Sequence, residues 1–257
     1  MKTLFNKGVR ILKEDKVTGL IALYKPVGLK SHPNTSSDNQ SLLTSCIYDH
    51  KLECYVDNNN KKIFLINRLD SVTSGIILIS DKEATAISVR KEFSKRTVQK
   101  KYKALVFGSE NSFTSKRIKW SDNISIDHSG NKLRALSSTS NNSHLAISYV
   151  NLEKKVADAP SILLINLVPL TGFTHQLRVQ CAQHGLPIVC DKIYGNFILN
   201  KLFDKNASLN RRMYLHSYSI QVNYEIDSKL YQFFCESPLK DEPGFNKIIN
   251  SDLTSSE

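Results

Sequence analysis

Most of the signatures that announce a cofactor are missing from this chain. Its ten glycines in 257 residues never fall at GxGxxG spacing, and neither GxxxxGKS nor GxxxxGKT occurs. A glycine-rich cradle for a dinucleotide or nucleoside triphosphate therefore has no support. There is no HExxH zinc pair and no GxSxG nucleophile turn. Five cysteines, Cys46, Cys54, Cys181, Cys190 and Cys235, include no CxxC pair. An odd number without zinc-finger spacing reads as reduced thiols in a cytosolic protein, most of them small packing residues. No apolar run is long enough to span a bilayer, and Met1 to Lys7 lacks a signal-peptide core. The expectation is a cytoplasmic protein without membrane, metal or dinucleotide partners.

Acidic residues are also the minority, 24 against 35 basic, for a formal charge of +11. Such an excess favours a polyanionic partner, because each neutralised phosphate releases counterions. A soluble basic protein with no nucleic-acid partner fits the charge equally well. With 40% hydrophobic residues the chain can bury a core. No internal repeat or linker is visible, so one domain over 1–257 is expected, with 1–15 as an N-terminal extension and 246–257 as a disordered tail.

Apolar runs predict strands at Leu20 to Tyr24, Ile63 to Ile66, Ile76 to Ile79, Lys101 to Phe107, Leu145 to Val150 and Ile162 to Val168. Leu215 to Tyr224 and Leu230 to Cys235 form a closing pair. Lys25-Pro26-Val27-Gly28 is a turn. Asp81 is placed as N-cap of a helix over Lys82 to Arg96, with Ala86, Val89 and Phe93 at helical spacing and Arg90, Lys91, Lys95 and Arg96 on the outer face. A second helix runs from Thr174 to about His184, stopped by Gly185. Ser109 to His144 is rich in Ser, Asn and Lys and gives the weakest signal. Strands outnumber helices and short polar turns join them. The fold class expected is α/β of the α+β type, a mixed, largely antiparallel sheet with flanking helices.

Arg68-Leu69-Asp70 opens onto the apolar run from Ile76. Extended geometry turns residues two apart to one side, so Arg68 and Asp70 can act on one bound object. Taken singly, an Asp at a strand edge is most often a turn residue. Its company changes that reading: Thr73-Ser74-Gly75 follows, Lys100-Lys101-Tyr102-Lys103-Ala104-Leu105-Val106-Phe107-Gly108 comes one helix later, and Thr171-Gly172-Phe173-Thr174-His175-Gln176-Leu177-Arg178 stands downstream.

In order and spacing these segments resemble the RluA-type pseudouridine synthases, which carry RLD-x-x-TSG, K-x-Y-x-A-x-V-x-G, TGRTHQIR-x-H, G-x-PI-x-GD-x-x-YG and LHA. Gly185-Leu186-Pro187-Ile188-Val189-Cys190-Asp191 with Tyr194-Gly195, Leu215-His216-Ser217, and Lys25-Pro26-Val27-Gly28-Leu29 with His32-Pro33 extend the match from about Leu20 to Tyr224. The resemblance implies a pseudouridine synthase catalytic fold with a central RNA-binding cleft, acting as a monomer on a tRNA or rRNA stem-loop. Uridine isomerisation breaks N1–C1′, turns the uracil over and joins C5 to C1′, so no cofactor is implied. Asp70 is the implied catalytic carboxylate. Arg178 is its cationic partner, and Tyr102 is the ring that stacks on uracil. Arg68, Thr73, Lys101, Lys103, His175 and Gln176 are the implied RNA contacts, the target nucleotide being flipped out. Arg68 has a structural salt bridge as its alternative role, and His175 and Gln176 either contact phosphate or fix their loop.

Three of the departures from the pattern bear on the reading. Asn67 replaces a histidine and can still hydrogen-bond locally. Cys190 replaces a glycine. Phe173 replaces the arginine of TGRTHQ, which removes a phosphate contact, alters substrate choice or marks a binding protein with reduced activity. A carboxylate-dependent glycoside hydrolase is a third class, but it needs a second acid near Asp70, and no motif supplies one. No stretch long enough for an S4 domain precedes Lys25, which leaves RNA capture to the catalytic domain.

Overall fold

The computed structural model describes residues 4–35, 38, 40–44, 46–127, 134–137, 143–206 and 212–250. They divide into two compact units, one of Met1–Lys100 with Ser217–Ser237, the other of Lys101–His216 with Pro238–Glu257. The fold is mixed α+β, and ten of its strand pairings, among them β2 with β6, β7 with β11 and β10 with β11, are antiparallel.

In the first unit, β2 (Leu20–Lys25) and β6 (Ser74–Ser80) are buried along their whole length. Both are unbroken apolar runs, as strands covered on two faces require. They pair in register, Leu20 opposite Ser80 through Lys25 opposite Gly75. Around them lie β1 (Arg10–Asp15) on β2, and β3 (Ile47–Asp49), β4 (Cys54–Val56) and β5 (Lys62–Leu65) leading to β6. β12 (Leu215–Ile226) neighbours β6 and carries β13 (Lys229–Glu236) through the two-residue turn Asp227-Ser228, both at positive φ. α1 (Glu83–Ser94) lays Ala86 and Val89 on a core containing Leu20, Phe64, Leu78 and Val222.

One expectation about α1 is corrected. Asp81 is not its N-cap: Lys82 holds that position without a side-chain cap, and the Ser80 hydroxyl accepts the Lys82 N–H at 3.1 Å. Arg90, expected on the outer face, is half-buried. It donates to the carbonyls of Leu65 (3.1 Å) and Glu53 (2.9 Å), because strand ends offer acceptors there that a guanidinium fork can bridge.

In the second unit the strand order is β7 (Gln99–Phe107), β11 (Ser161–Pro169), β10 (His144–Asp158), β8 (Ile118–Asp127) and β9 (Arg134–Ser137), the first two residues of β7 belonging to the other unit. Ala104, Val106, Leu163 and Ile165 pack one side of this sheet against Leu177 and Cys181 of α2 (Gln176–Gln183). Leu105, Phe107, Ile162 and Leu164 pack against Phe203 of α3 (Phe197–Asn206) and against Phe245 and Ile248 of α4 (Pro243–Asn250). Residues 246–250 of the tail expected over 246–257 belong to α4, with Ile248 fully buried; 251–257 lie outside the described residues. Within the weakly signalled stretch 109–144, β8 and β9 are formed, while 128–133 and 138–142 fall outside the description. Among the described residues no helix is long and apolar enough to cross a membrane.

Candidate active site

The Asp70 loop is fixed from several directions in the first unit. Asn67 Oδ1 accepts the Leu78 N–H at 2.7 Å, so asparagine ties the loop to β6. Ser31 Oγ accepts the Leu69 N–H at 2.9 Å and donates to the Leu69 carbonyl at 2.8 Å. The Thr73 N–H returns to the Asp70 carbonyl at 3.0 Å, closing a tight turn with Thr73 and Ser74 buried. Asp70 itself is half-buried and Arg68 is exposed.

Lys25 is a residue that sequence reasoning passed over as part of a turn. Its side chain is wholly buried, and its ammonium donates to the carbonyls of Pro26 (3.0 Å), Leu29 (2.8 Å) and Ser71 (3.2 Å). Burying an ammonium is costly unless it is satisfied, so this one pins the 26–29 turn to the residue after Asp70. The legible signal was a lysine ending an otherwise apolar strand just before Pro-x-Gly.

Arg68 is also positioned. Its Nη1 lies 3.3 Å from His32 Nε2, while His32 Nδ1 is 3.1 Å from the Pro33 carbonyl. The proton therefore belongs on Nδ1, and Nε2 accepts from Arg68. The His32 ring stacks on Tyr48 at 4.9 Å, and Tyr48 and His50 line a pocket of about 570 Å³ with Pro33, Thr44 and Ile47. On the far side of the loop, Gly75 has φ +110, and a Cβ there would meet the Ser217 carbonyl oxygen at 2.2 Å. Only glycine lets β6 approach β12 this closely.

The second unit holds the remaining candidates. Tyr102 stands on β7 opposite Leu167, half-buried against the core cluster that includes Leu167, Leu177 and Leu215. Lys101 is exposed, whereas Lys103 Nζ lies 2.6 and 2.7 Å from the two Glu153 carboxylate oxygens. Arg178 is buried and forks onto Asp191, Nε to Oδ2 at 2.8 Å and Nη2 to Oδ1 at 2.9 Å. Burial alone would raise the Asp191 pKa. Hydrogen bonds and charge from Arg178, with the N–H groups of Ile193 and Tyr194, hold it below the ordinary 3.8. The guanidinium also sits 5.0 Å from the Tyr194 ring centre.

His175 precedes α2 in the left-handed region at φ 57, its Nδ1 2.9 Å from the Tyr194 hydroxyl. Gln176 points inward: its Oε1 accepts from Thr171 Oγ1 (2.7 Å) and the Phe173 N–H (3.1 Å), and its Nε2 donates to Ser148 Oγ (3.1 Å). Of the two roles open to Gln176, this geometry serves the loop. Behind it, Gln180 bridges Ser148 Oγ and Asp122, and His184 lies 3.1 Å from Asp122 and stacks on Trp120 at 4.4 Å, planes 2° apart.

The structure thus gathers Arg68, Asp70 and Thr73 in one unit, and Lys101, Tyr102, Lys103, His175, Gln176 and Arg178 in the other. Among the described residues no cluster of His, Cys, Asp and Glu has the arrangement of a metal centre.

Comparison with known proteins decides the family. A family model for RNA pseudouridylate synthase matches residues 19–183. The chain belongs to that family. An uncharacterized RNA pseudouridine synthase of Mycoplasma genitalium is 31% identical over 195 residues, 74% of this chain and 56% of the relative. A ribosomal large subunit pseudouridine synthase C of Rickettsia bellii is 29% identical over 82% of this chain and 63% of its own length. The chain therefore spans a little more than half of these curated relatives. The solved structure of human RNA pseudouridylate synthase domain containing 1 shares the fold, with a TM-score of 0.66 at 22% identity over 91% of this chain and 84% of that one.

Proposed function

We propose that this chain is an RNA pseudouridine synthase that isomerises uridine in a tRNA or rRNA stem-loop, with Asp70 as the catalytic carboxylate. What carries the reading is the Asp70 loop itself. A half-buried carboxylate is held on an immobilised turn by Lys25, Ser31 and Asn67, within the segment that matches the family model. Fixing a reactive group before substrate arrives lowers the entropy lost on the way to the transition state. Relatives named for the large ribosomal subunit favour rRNA of the two substrate classes.

In this reading Asp70 attacks or stabilises the sugar–base unit while N1–C1′ is open. The base rotates, C5 joins C1′, the C5 proton leaves and N1 gains one. The sum of atoms and electrons is unchanged, so the reaction needs no oxidant, reductant or co-substrate. Tyr102 stacks on the uracil and takes part in proton transfer at C5. Arg178 is the cationic partner proposed for the catalytic carboxylate. Arg68, Thr73, Lys101, Lys103 and His175 contact RNA, and the protein works as a cytoplasmic monomer. Family membership and the motif positions support these roles.

The test is tritium release from RNA labelled at uridine C5. Wild-type protein releases tritium, while Asp70→Asn keeps its affinity for RNA and releases none. Turnover by Asp70→Asn at the wild-type rate removes Asp70 from the chemistry. Phe173, in place of the motif arginine, favours one second reading: an RNA-binding protein of reduced activity. Binding without tritium release from total tRNA and rRNA identifies it.

A further inference from the structure

Phe173 stands where the family motif carries arginine, and its ring has a specific partner. Phe173 and His144 stack with centroids 5.2 Å apart and planes 12° from parallel. Phe173 packs inward on Ile124, Ala146 and Val179, in a cluster that Tyr194 joins. It is half-buried, whereas His144 is exposed, with exposed Leu145 beside it. His175 meets Tyr194 nearly edge-on at 5.6 Å. Four rings from the 171–176 loop, the start of β10 and the turn before α3 thus lie in one unit.

An aromatic pair that serves only packing gains most when both rings leave water. Here the outer member is left in solvent, parallel to an anchored inner one. That is the geometry of a short stack awaiting its next plane. We propose that His144 and Phe173 form a stacking site for an unpaired base of the RNA substrate, at a nucleotide other than the one isomerised. The inference rests on the reading of this chain as an RNA enzyme. It exchanges an arginine's grip on phosphate, which salt weakens, for a grip on a base, which salt leaves nearly untouched. Every base has a π face, so the site selects for an unstacked nucleotide rather than for a particular sequence.

The experiment measures binding of an end-labelled, single-stranded oligouridylate to the full chain across a salt series, beside the same oligomer with abasic positions. Phe173→Leu keeps apolar bulk against Ile124, Ala146 and Val179 and removes the flat ring. It is expected to weaken binding about tenfold, within the range for one stacked base, without changing the salt slope. Phe173→Trp restores affinity, His144→Ala repeats the loss, and the double variant loses no more than either single one. Phe173→Arg binds with a log–log salt slope steeper by about 0.7. The abasic oligomer responds to none of the ring-removing changes.

The inference is overturned if wild type does not bind the oligomer, if Phe173→Leu binds as wild type does, or if it loses affinity equally for abasic RNA. The last result marks a purely structural role, and a matching fall in melting temperature identifies it. Tritium release separates the two layers. A wild type that releases tritium while Phe173→Leu binds the oligomer as wild type does sinks the stacking site and leaves the proposed function standing. A wild type that releases no tritium yet shows the stacking pattern does the reverse.

Discussion

At the scale of single residues, the Arg178–Asp191 pair is the clearest energetic commitment in the second unit. Both side chains are buried, and each relies on the other to offset lost hydration. Asp191→Asn keeps the shape and removes the charge, leaving a guanidinium underpaired; stability should fall by about 3–5 kcal/mol in urea titration. The pH dependence follows from the depressed carboxylate. Its contribution is fully present above the unfolded value near 3.8 and is lost as pH falls from there through the lower folded value. Acid unfolding should be steeper in wild type than in Asp191→Asn between those limits. Arg178 and Asp70 were legible in the sequence because ordered motifs surround them. The ties from Lys25 to Ser71, from Ser31 to Leu69 and from Asp191 to Arg178 were not, because spacing does not encode which distant residues meet.

Among elements, α1 illustrates how a surface pattern misleads. Arg90 reads as one charge in a basic stripe, yet it bridges the carbonyls of residues 53 and 65 and ties the helix to two strand ends. Arg90→Lys retains the charge but not the fork. It should cost about 2 kcal/mol by thermal or urea unfolding, close to the cost of Arg90→Ala. The long apolar strands β2, β6 and β11 were visible because burial leaves nearly continuous hydrophobic runs, and β7 because Lys101 to Phe107 alternates. β1 was hidden by its charged, exposed sequence RILKED, and β3 and β4 by having three residues each. α3 and α4 were hidden because their helical stripes, Phe203 in one and Phe245 with Ile248 in the other, lie in segments of ten residues or fewer.

For the molecule as a whole, the proposed function together with a charge of +11 makes ionic strength the expected main external control on RNA affinity. Binding should fall log-linearly with salt, by about 0.7 in slope for each phosphate neutralised on a single strand. Lys101 is exposed, so Lys101→Ala should flatten that slope by about one such increment. Lys103 already faces Glu153, so Lys103→Ala should flatten it less. Filter binding across a salt series measures both. The chain also contains one tryptophan, Trp120, pressed flat against His184 at the end of α2. Its indole emission is thus a built-in optical gauge of one place. Protonation of the neighbouring imidazole, or loosening of that helix from β8, changes a signal with no second fluorophore of its kind to obscure it.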